Sequence, residues 1–222
     1  MNKLTKRLQV IFDLVSSRVI ADVGCDHGKL TKALFDENKI DFAYVSDISK
    51  LSLDKAIKLL KDYDGKFEAI CCDGLSDYKS QDIGECIIAG MGGSEIIKII
   101  ENSPIEISKY ILSPQHNEID VKKFMISCGF NITYDIIIMD KGKFYNIFKS
   151  EKSTETREVS DYELIFGKQN FSNKISDIKK YVEIYLEKYR KIFQQNNSEK
   201  IENLIKLFEI AKKECEKLWI KY

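Results

Sequence analysis

No apolar run in these 222 residues approaches the roughly 20 needed to cross a membrane as a helix, so no membrane partner is expected. The basic start, Met1-Asn2-Lys3-Leu4-Thr5-Lys6-Arg7-Leu8, is not followed by an apolar stretch or a small-residue cleavage site. A secretory leader is therefore not expected, and the chain reads as cytoplasmic. Cysteine pairs of the metal-binding C-x-x-C kind are also missing. Cys25, Cys71, Cys72, Cys86, Cys128 and Cys215 are scattered, which argues against a structural metal or a disulfide framework and for reduced, mostly buried thiols. Net charge is absent too: 35 basic residues against 35 acidic ones give no overall attraction for nucleic acid. The distribution is uneven, however. Residues 171–222 hold twelve Lys or Arg against eight Asp or Glu, whereas residues 22–80 hold twelve acids against nine bases. The ends are basic and the middle is acidic, as in a lysine-rich solvated surface or a chain that grips a polyanion at its extremities.

One further absence is the most informative. Val19-Ile20-Ala21-Asp22-Val23 reads as a buried strand, and Gly24-Cys25-Asp26-His27-Gly28 as a sharp turn before a helix marked by Leu30, Ala33 and Leu34. Strand, glycine turn and helix start make a nucleotide cradle, because glycine admits a ligand to the backbone and the helix start offers free N–H groups. Yet the turn is not G-x-G-x-x-G. Asp26 stands where a dinucleotide site keeps a glycine against its pyrophosphate. A carboxylate there repels a diphosphate and suits a ligand carrying an ammonium and a sulfonium, which describes S-adenosylmethionine. That turns the reading from dehydrogenase to methyltransferase.

The rest of the chain alternates strand and helix. A helical stripe over Leu4–Val15 precedes the first strand. Phe42–Asp47 is a second strand, Phe67–Asp73 a third, Cys86–Gly93 a fourth and Tyr110–Pro114 a fifth, with helices over Leu53–Leu60, Ser94–Ile100 and Glu118–Ser127. Ile132–Met139 and Lys143–Phe148 flank Asp140-Lys141-Gly142, a hairpin signal. Five β-α repeats and a hairpin imply a doubly wound α/β sheet, which binds ligands at the carboxyl ends of its strands. Those ends carry Gly24 to Gly28, Asp47-Ile48, Asp73-Gly74, Gly90-Met91-Gly92-Gly93 and Ser113-Pro114-Gln115. Residues 151–160 are polar and linker-like. Beyond them, Ile175, Ile178, Val182, Tyr185, Leu186, Tyr189, Ile192 and Phe193, then Ile201, Leu204, Ile205, Phe208, Ala211, Cys215 and Leu218, predict a helical hairpin with coiled-coil spacing. Lys174, Lys179, Lys180, Lys188, Arg190 and Lys191 cluster on its first helix. The expected division is 1–160 for a cofactor-binding domain and 161–222 for a helical one.

Asp47 lies 19 residues beyond Gly28, where a carboxylate can accept both hydroxyls of a ribose. Asp73 is set to accept an adenine amine. Either acid fits equally well as a turn residue or helix cap. His27 reads as a base, a substrate contact or a turn residue packed beneath the ligand. The Gly90–Gly93 loop holds no general base. Its use is close backbone approach to a methyl donor and a target base.

At these residues the chain resembles the bacterial tRNA (adenine(22)-N1)-methyltransferases. The likeness runs through Leu4-Thr5-Lys6-Arg7-Leu8, Ala21-Asp22-Val23-Gly24-Cys25-Asp26-His27, Asp73-Gly74-Leu75, Ile88-Ala89-Gly90-Met91-Gly92-Gly93, Ile111-Leu112-Ser113-Pro114-Gln115 and Gly142-Lys143-Phe144-Tyr145. It implies a Rossmann-like class I methyltransferase sheet with a C-terminal coiled-coil hairpin, acting on N1 of adenine 22 in the tRNA D-arm with S-adenosyl-L-methionine as cofactor; the sequence leaves the oligomeric state open, a monomer being favoured. Carried over to this sequence, it implies cofactor binding by Asp22, Gly24, Cys25, Asp26, His27, Gly28, Asp47, Ile48, Asp73, Gly74, Gly90 and Met91. Asp26, Gly92 and Gln115 become the candidates for catalysis. Relatives typically read Gln-Pro-Asn where this chain has Ser113-Pro114-Gln115. The alternatives are a methyltransferase for another RNA or a small molecule, and an inactive cofactor-binding module.

Overall fold

The structure, a computed structural model, describes residues 4–79, 82–155, 157–173 and 176–219. Residues 1–3, Lys174 and Ile175 lie outside the described residues, as does the side chain of Leu218. Seven strands form one sheet in the order β3-β2-β1-β4-β5-β7-β6. β1 (Val19–Val23), β2 (Phe42–Ser46), β3 (Phe67–Ile70), β4 (Glu85–Ala89) and β5 (Lys109–Ser113) run parallel. The long β6 (Phe130–Asp140) and β7 (Lys143–Lys152) form an antiparallel hairpin that joins the sheet through β7 on β5. Its two-residue turn puts Lys141 at φ 49° and Gly142 at φ 79°, the pair of positive angles that matches strand twist in a tight hairpin. The chain order reverses between β1 and β4, which fixes the crevice of a doubly wound sheet at their carboxyl ends.

Helices α1 (Lys6–Leu14), α2 (Lys29–Asp36) and α3 (Lys50–Leu59) cover one face. Their apolar stripes bury Ile11, Leu34, Leu53 and Ala56 against Ile20, Val45 and Ile87. On the other face α4 (Gly93–Glu101) and α5 (Glu118–Ser127) bury Ile96, Ile99, Val121 and Met125 against Val23, Ile88 and Leu112. Of the five expected β-α repeats, the third lacks its helix among the described residues: between β3 and β4 they make turns, closed by Ser76 N to Asp73 O and Tyr78 N to Leu75 O. Leu75, Tyr78 and Ile83 anchor this connection in the second core. β3 also stops at Ile70, because its partner β2 has no strand residue beyond Ser46 to pair with. Asp73 therefore sits in a loop, and the Cys71-Cys72 pair lies outside any strand.

The C-terminal segment builds a third core. α6 (Asp161–Phe166) precedes the paired helices α7 (Ile178–Gln195) and α8 (Glu199–Trp219). Phe166, Tyr181, Val182, Leu186, Phe208 and Ala211 pack together and onto Ile137 of β6 and Phe144 of β7. The basic cluster on α7 is partly neutralised: Arg190 pairs with Glu209 at 2.8 Å and Lys191 with Glu187 at 2.6 Å. Between α6 and α7, Gln169, Asn170 and Asp177 lie along β6, whose outer side has no strand neighbour among the described residues. Gln169, Asn170 and Asp177 accept hydrogen bonds from the backbone N–H groups of Asp135 (3.1 Å), Ile137 (2.6 Å) and Met139 (2.5 Å). The Gln169 and Asn170 amides also donate to the carbonyls of Thr133 and Asp135. Side chains thus do for this edge what a further strand would do with its backbone.

Two buried ion pairs bind the layers. Lys149 of β7 meets Glu85 of β4 at 2.7 Å, and Glu85 also accepts from Ser16 N after α1. Lys122 of α5 meets Asp135 of β6 at 2.6 Å and donates to the Leu164 carbonyl of α6 at 2.9 Å.

Candidate functional site

The carboxyl edge of the sheet opens into a cavity of about 290 Å³. Its first wall is the turn after β1. Gly24 N and Cys25 N both donate to Ser46 O at 2.9 Å, which folds the turn back over β2. Gly24 sits at φ 69°, and a Cβ there would stand 2.2 Å from Met91 Cε. The glycine is needed for both reasons. Asp26 also takes a left-handed φ of 51°, and its carboxylate is 75% exposed on the cavity wall. An L-residue in that region costs about 1–2 kcal/mol, so the turn holds Asp26 against its backbone preference. Asp26→Gly would relieve that cost and loosen the unfolded chain by a similar amount. Its melting temperature should stay within a few degrees of the parent's while cofactor affinity drops, measured by thermal denaturation and calorimetry. Equal affinity in the glycine variant would remove Asp26 from the site.

The second wall is the end of β2. Asp47 Oδ1 accepts Ser49 N at 2.8 Å, and Ser49 Oγ in turn caps α3 by accepting Ser52 N. The turn reading and the site reading of Asp47 therefore coexist: one oxygen is engaged in the turn, and the carboxylate still lines the cavity. Ile48 beside it is 72% exposed. Asp73, Gly74 and Cys72 form the third wall, and Gly90 and Met91 after β4 the fourth. Gln115 closes the cavity from the β5 loop: its backbone N donates to Met91 O at 2.9 Å, and its Nε2 donates to Gly90 O at 2.5 Å.

Of the residues expected from sequence, Gly24, Asp26, Asp47, Ile48, Asp73, Gly74, Gly90, Met91 and Gln115 meet on this wall. Asp22, Cys25, His27, Gly28 and Gly92 do not. Asp22 is buried under the turn and accepts the Thr31 hydroxyl at 2.6 Å. Burial pushes its carboxyl up to about 6, with the Thr31 bond opposing and nearby Asp47 adding. Burial likewise raises the Cys25 thiol, which stays protonated at neutral pH. His27 faces Lys55 Nζ at 3.3 Å and the Asp26 carboxylate at 3.6 Å. Gly28 starts α2 at φ 69° against Ala56. Gly92 caps α4 and touches His116.

Arg7, Ser46, Cys72, Ala89, Glu95 and Ile99 also line the wall, although none of them was assigned to the site from the sequence. Arg7 matters most. Its backbone N donates to Asp140 Oδ2 at 3.1 Å, and its guanidinium lies 4.9 Å above the Tyr145 ring. Among the described residues it is the one basic side chain on a wall that carries Asp26, Asp47, Asp73 and Glu95. The signal available in the sequence was the basic helix start, Lys6-Arg7. Several carboxylates facing one guanidinium suit a ligand with positive charge and hydroxyls along its length and a single carboxylate at one end.

Comparison with known proteins points the same way. A Mycoplasma pneumoniae protein whose name assigns it provisionally to the tRNA methyltransferases is 28% identical over 186 residues, covering 80% of this chain and 87% of the relative. The tRNA (adenine(22)-N(1))-methyltransferase of Bacillus subtilis is 25% identical over 156 residues, covering 67% of this chain and 65% of that protein. Among solved structures, TrmK of M. capricolum in complex with S-adenosyl-homocysteine superposes with a TM-score of 0.84 at 26% identity, over 96% of this chain and 99% of that one. The model of the methyltransferase domain matches residues 4–148, which contain every strand start and the whole cavity wall, and the chain belongs to that family.

Proposed function

We propose that this protein is a tRNA (adenine-N1)-methyltransferase that uses S-adenosylmethionine to modify adenine 22 of the D-arm, acting as a monomer in the cytoplasm. The observation that carries the reading is the cavity itself: an acidic wall with one guanidinium, in a chain whose family and named relatives are methyltransferases. The residues fit this cofactor. Gly24 lines the cavity with room beside it for Met91, the carboxylates answer an ammonium, a sulfonium and two ribose hydroxyls, and Arg7 answers a carboxylate. When bound, the cofactor supplies a methyl group on a sulfonium.

The work left to the protein is positional. Neutral adenine has an in-plane lone pair at N1, so no side chain has to withdraw a proton before transfer. Asp47 fixes the ribose, Asp73 with Gly74 meets the adenine edge of the cofactor, Ile48 covers it, and Gly90 and Met91 bring backbone to the amino-acid end. Holding the reacting atoms in line at about 3 Å supplies several kcal/mol of the barrier. Methylated adenine is cationic, and the exposed Asp26 carboxylate lowers the energy of that developing charge. Gln115, tied to Gly90 O, keeps the β4 and β5 loops together around the transfer point. Residues 1–160 carry this chemistry, and residues 161–222 hold the tRNA. Lys180 and Lys188 are better phosphate contacts than Arg190 and Lys191, which are engaged by acids.

The reading is tested by incubating unmodified tRNA with the protein and labelled cofactor and mapping the methylated nucleotide. Label at N1 of adenine 22 is expected; label elsewhere, or none, overturns it. Asp47→Ala should weaken cofactor binding by about 1.5–3 kcal/mol, the worth of charge-assisted hydrogen bonds. Calorimetry on the folded variant checks this, and an unchanged dissociation constant would take the ribose role away from Asp47.

A further inference from the structure

A second opening of about 670 Å³ adjoins the cofactor cavity and shares Asp73, Glu95 and Ile99 with it. Its own wall includes Gly92, Lys98 and His116. His116 is exposed, and two glycines hold it in place. A Cβ on Gly92 would stand 2.8 Å from the ring Cε1 and 3.0 Å from Nε2. A Cβ on Gly93 would stand 2.8 Å from the carbonyl oxygens of both His116 and Asn117. Gly93 N donates to His116 O at 3.1 Å, and Asn117 takes a left-handed φ of 59° to start α5. The loops after β4 and β5 are thus fastened together, with the imidazole lying against Gly92 on the wall of the second opening. No role in the transfer chemistry described above requires this ring.

Methyl transfer needs two ligands to meet at a common boundary, and Asp73, Glu95 and Ile99 form such a boundary between the two openings. We infer that the second opening receives the acceptor nucleoside, with the His116 imidazole as its stacking wall, an inference that rests on the methyl-transfer reading above. A base swung out of folded tRNA has lost its neighbours in the stack. An aromatic ring restores that contact for any base, and its loss typically costs about tenfold to a hundredfold. Lys98, one turn along α4 from Ser94 on the same wall, offers a cation to the phosphate that accompanies the base.

The test compares the parent with His116→Ala, His116→Phe and Lys98→Met. Single-turnover transfer from labelled S-adenosylmethionine to unmodified tRNA is measured across pH, together with calorimetric affinity for S-adenosylhomocysteine. His116→Ala should transfer roughly tenfold to a hundredfold more slowly, and His116→Phe, which keeps a ring, should recover most of the rate. Both should bind S-adenosylhomocysteine as the parent does. Lys98→Met should flatten the log–log salt dependence of tRNA binding by about one unit. The inference is overturned if both His116 variants transfer at the parent's rate, or if His116→Ala loses cofactor affinity. It is also overturned if His116→Phe is as slow as His116→Ala and has lost a titration present in the parent, which would assign His116 to proton transfer. A parent that binds cofactor but methylates no tRNA overturns the underlying reading instead.

Discussion

Lys122→Met should lower the stability of the folded chain by about 3–5 kcal/mol, the cost of leaving one member of a buried ion pair without the other. The lysine side chain is 1% exposed and that of Asp135 5%. Lys122 Nζ lies 2.6 Å from Asp135 Oδ2, while Asn146 Nδ2 donates to the other oxygen at 2.6 Å. Burial pushes the Asp135 carboxyl up even with the lysine beside it. Without the lysine it rises further, so the variant's penalty is largest at neutral pH and eases in mild acid, where Asp135 becomes neutral. Urea denaturation at pH 7 and pH 5 measures both effects. The double variant Lys122→Met with Asp135→Leu should recover much of the loss, since no charge then remains buried. If the single variant is as stable as the parent at pH 7, the pair is not what joins α5, β6 and α6.

Asp22→Asn should have the opposite sign, making the ligand-free protein more stable at pH 7 by about 3 kcal/mol. The carboxyl is raised from 3.8 to about 6 in the folded state, and each unit is worth about 1.4 kcal/mol. Because the folded state holds this proton more tightly than the unfolded one, stability falls as pH rises from about 4 to about 6, and the full cost persists above that. The parent should therefore be more stable at pH 5 than at pH 7. The asparagine variant should lose this component of the slope while keeping the Thr31 hydrogen bond. It should also bind S-adenosylmethionine more weakly, because a negative charge beneath the Gly24 turn complements a cationic ligand. A gain in stability coupled to a loss of binding marks a group kept charged for function. If stability is flat between pH 5 and pH 7 in the parent, Asp22 is not the buried charge proposed here.

Much of the fold was legible because its core strands are short apolar runs closed by glycine or aspartate, and its helices carry regular stripes. The Gly24 turn, the Asp140–Gly142 hairpin and the helix pair after residue 177 all follow from local patterns. What was not legible depends on partners distant in sequence. Phe67–Asp73 looks like one strand, but β2 ends at Ser46 and leaves the last three residues unpaired. Nothing local in the sequence marks Lys122, Asp135, Glu85 and Lys149 for burial, and only the packed layers show them buried as two ion pairs. Arg7 belongs to a helix that precedes the first strand, so nothing in its spacing links it to the glycine turn; α1 carries it across the sheet edge to Gly90. The wall around Gly24, Asp47, Asp73 and Gly90 could be anticipated because a doubly wound sheet gathers its strand ends. His116 could not, since its setting depends on two loops meeting.

The side-chain cover on β6 also has a consequence during synthesis. The strand is complete at Asp140, but the groups that occupy its outer backbone belong to residues 169–177 and emerge later. In that interval a nascent or truncated chain presents an eleven-residue edge rich in isoleucine, a ready template for pairing with another copy. Chains that stop before Gln169 should therefore self-associate, and so should full-length chains in which Asn170 is replaced by an apolar residue. The short segment between α6 and α7 acts in this sense as a built-in guard against aggregation.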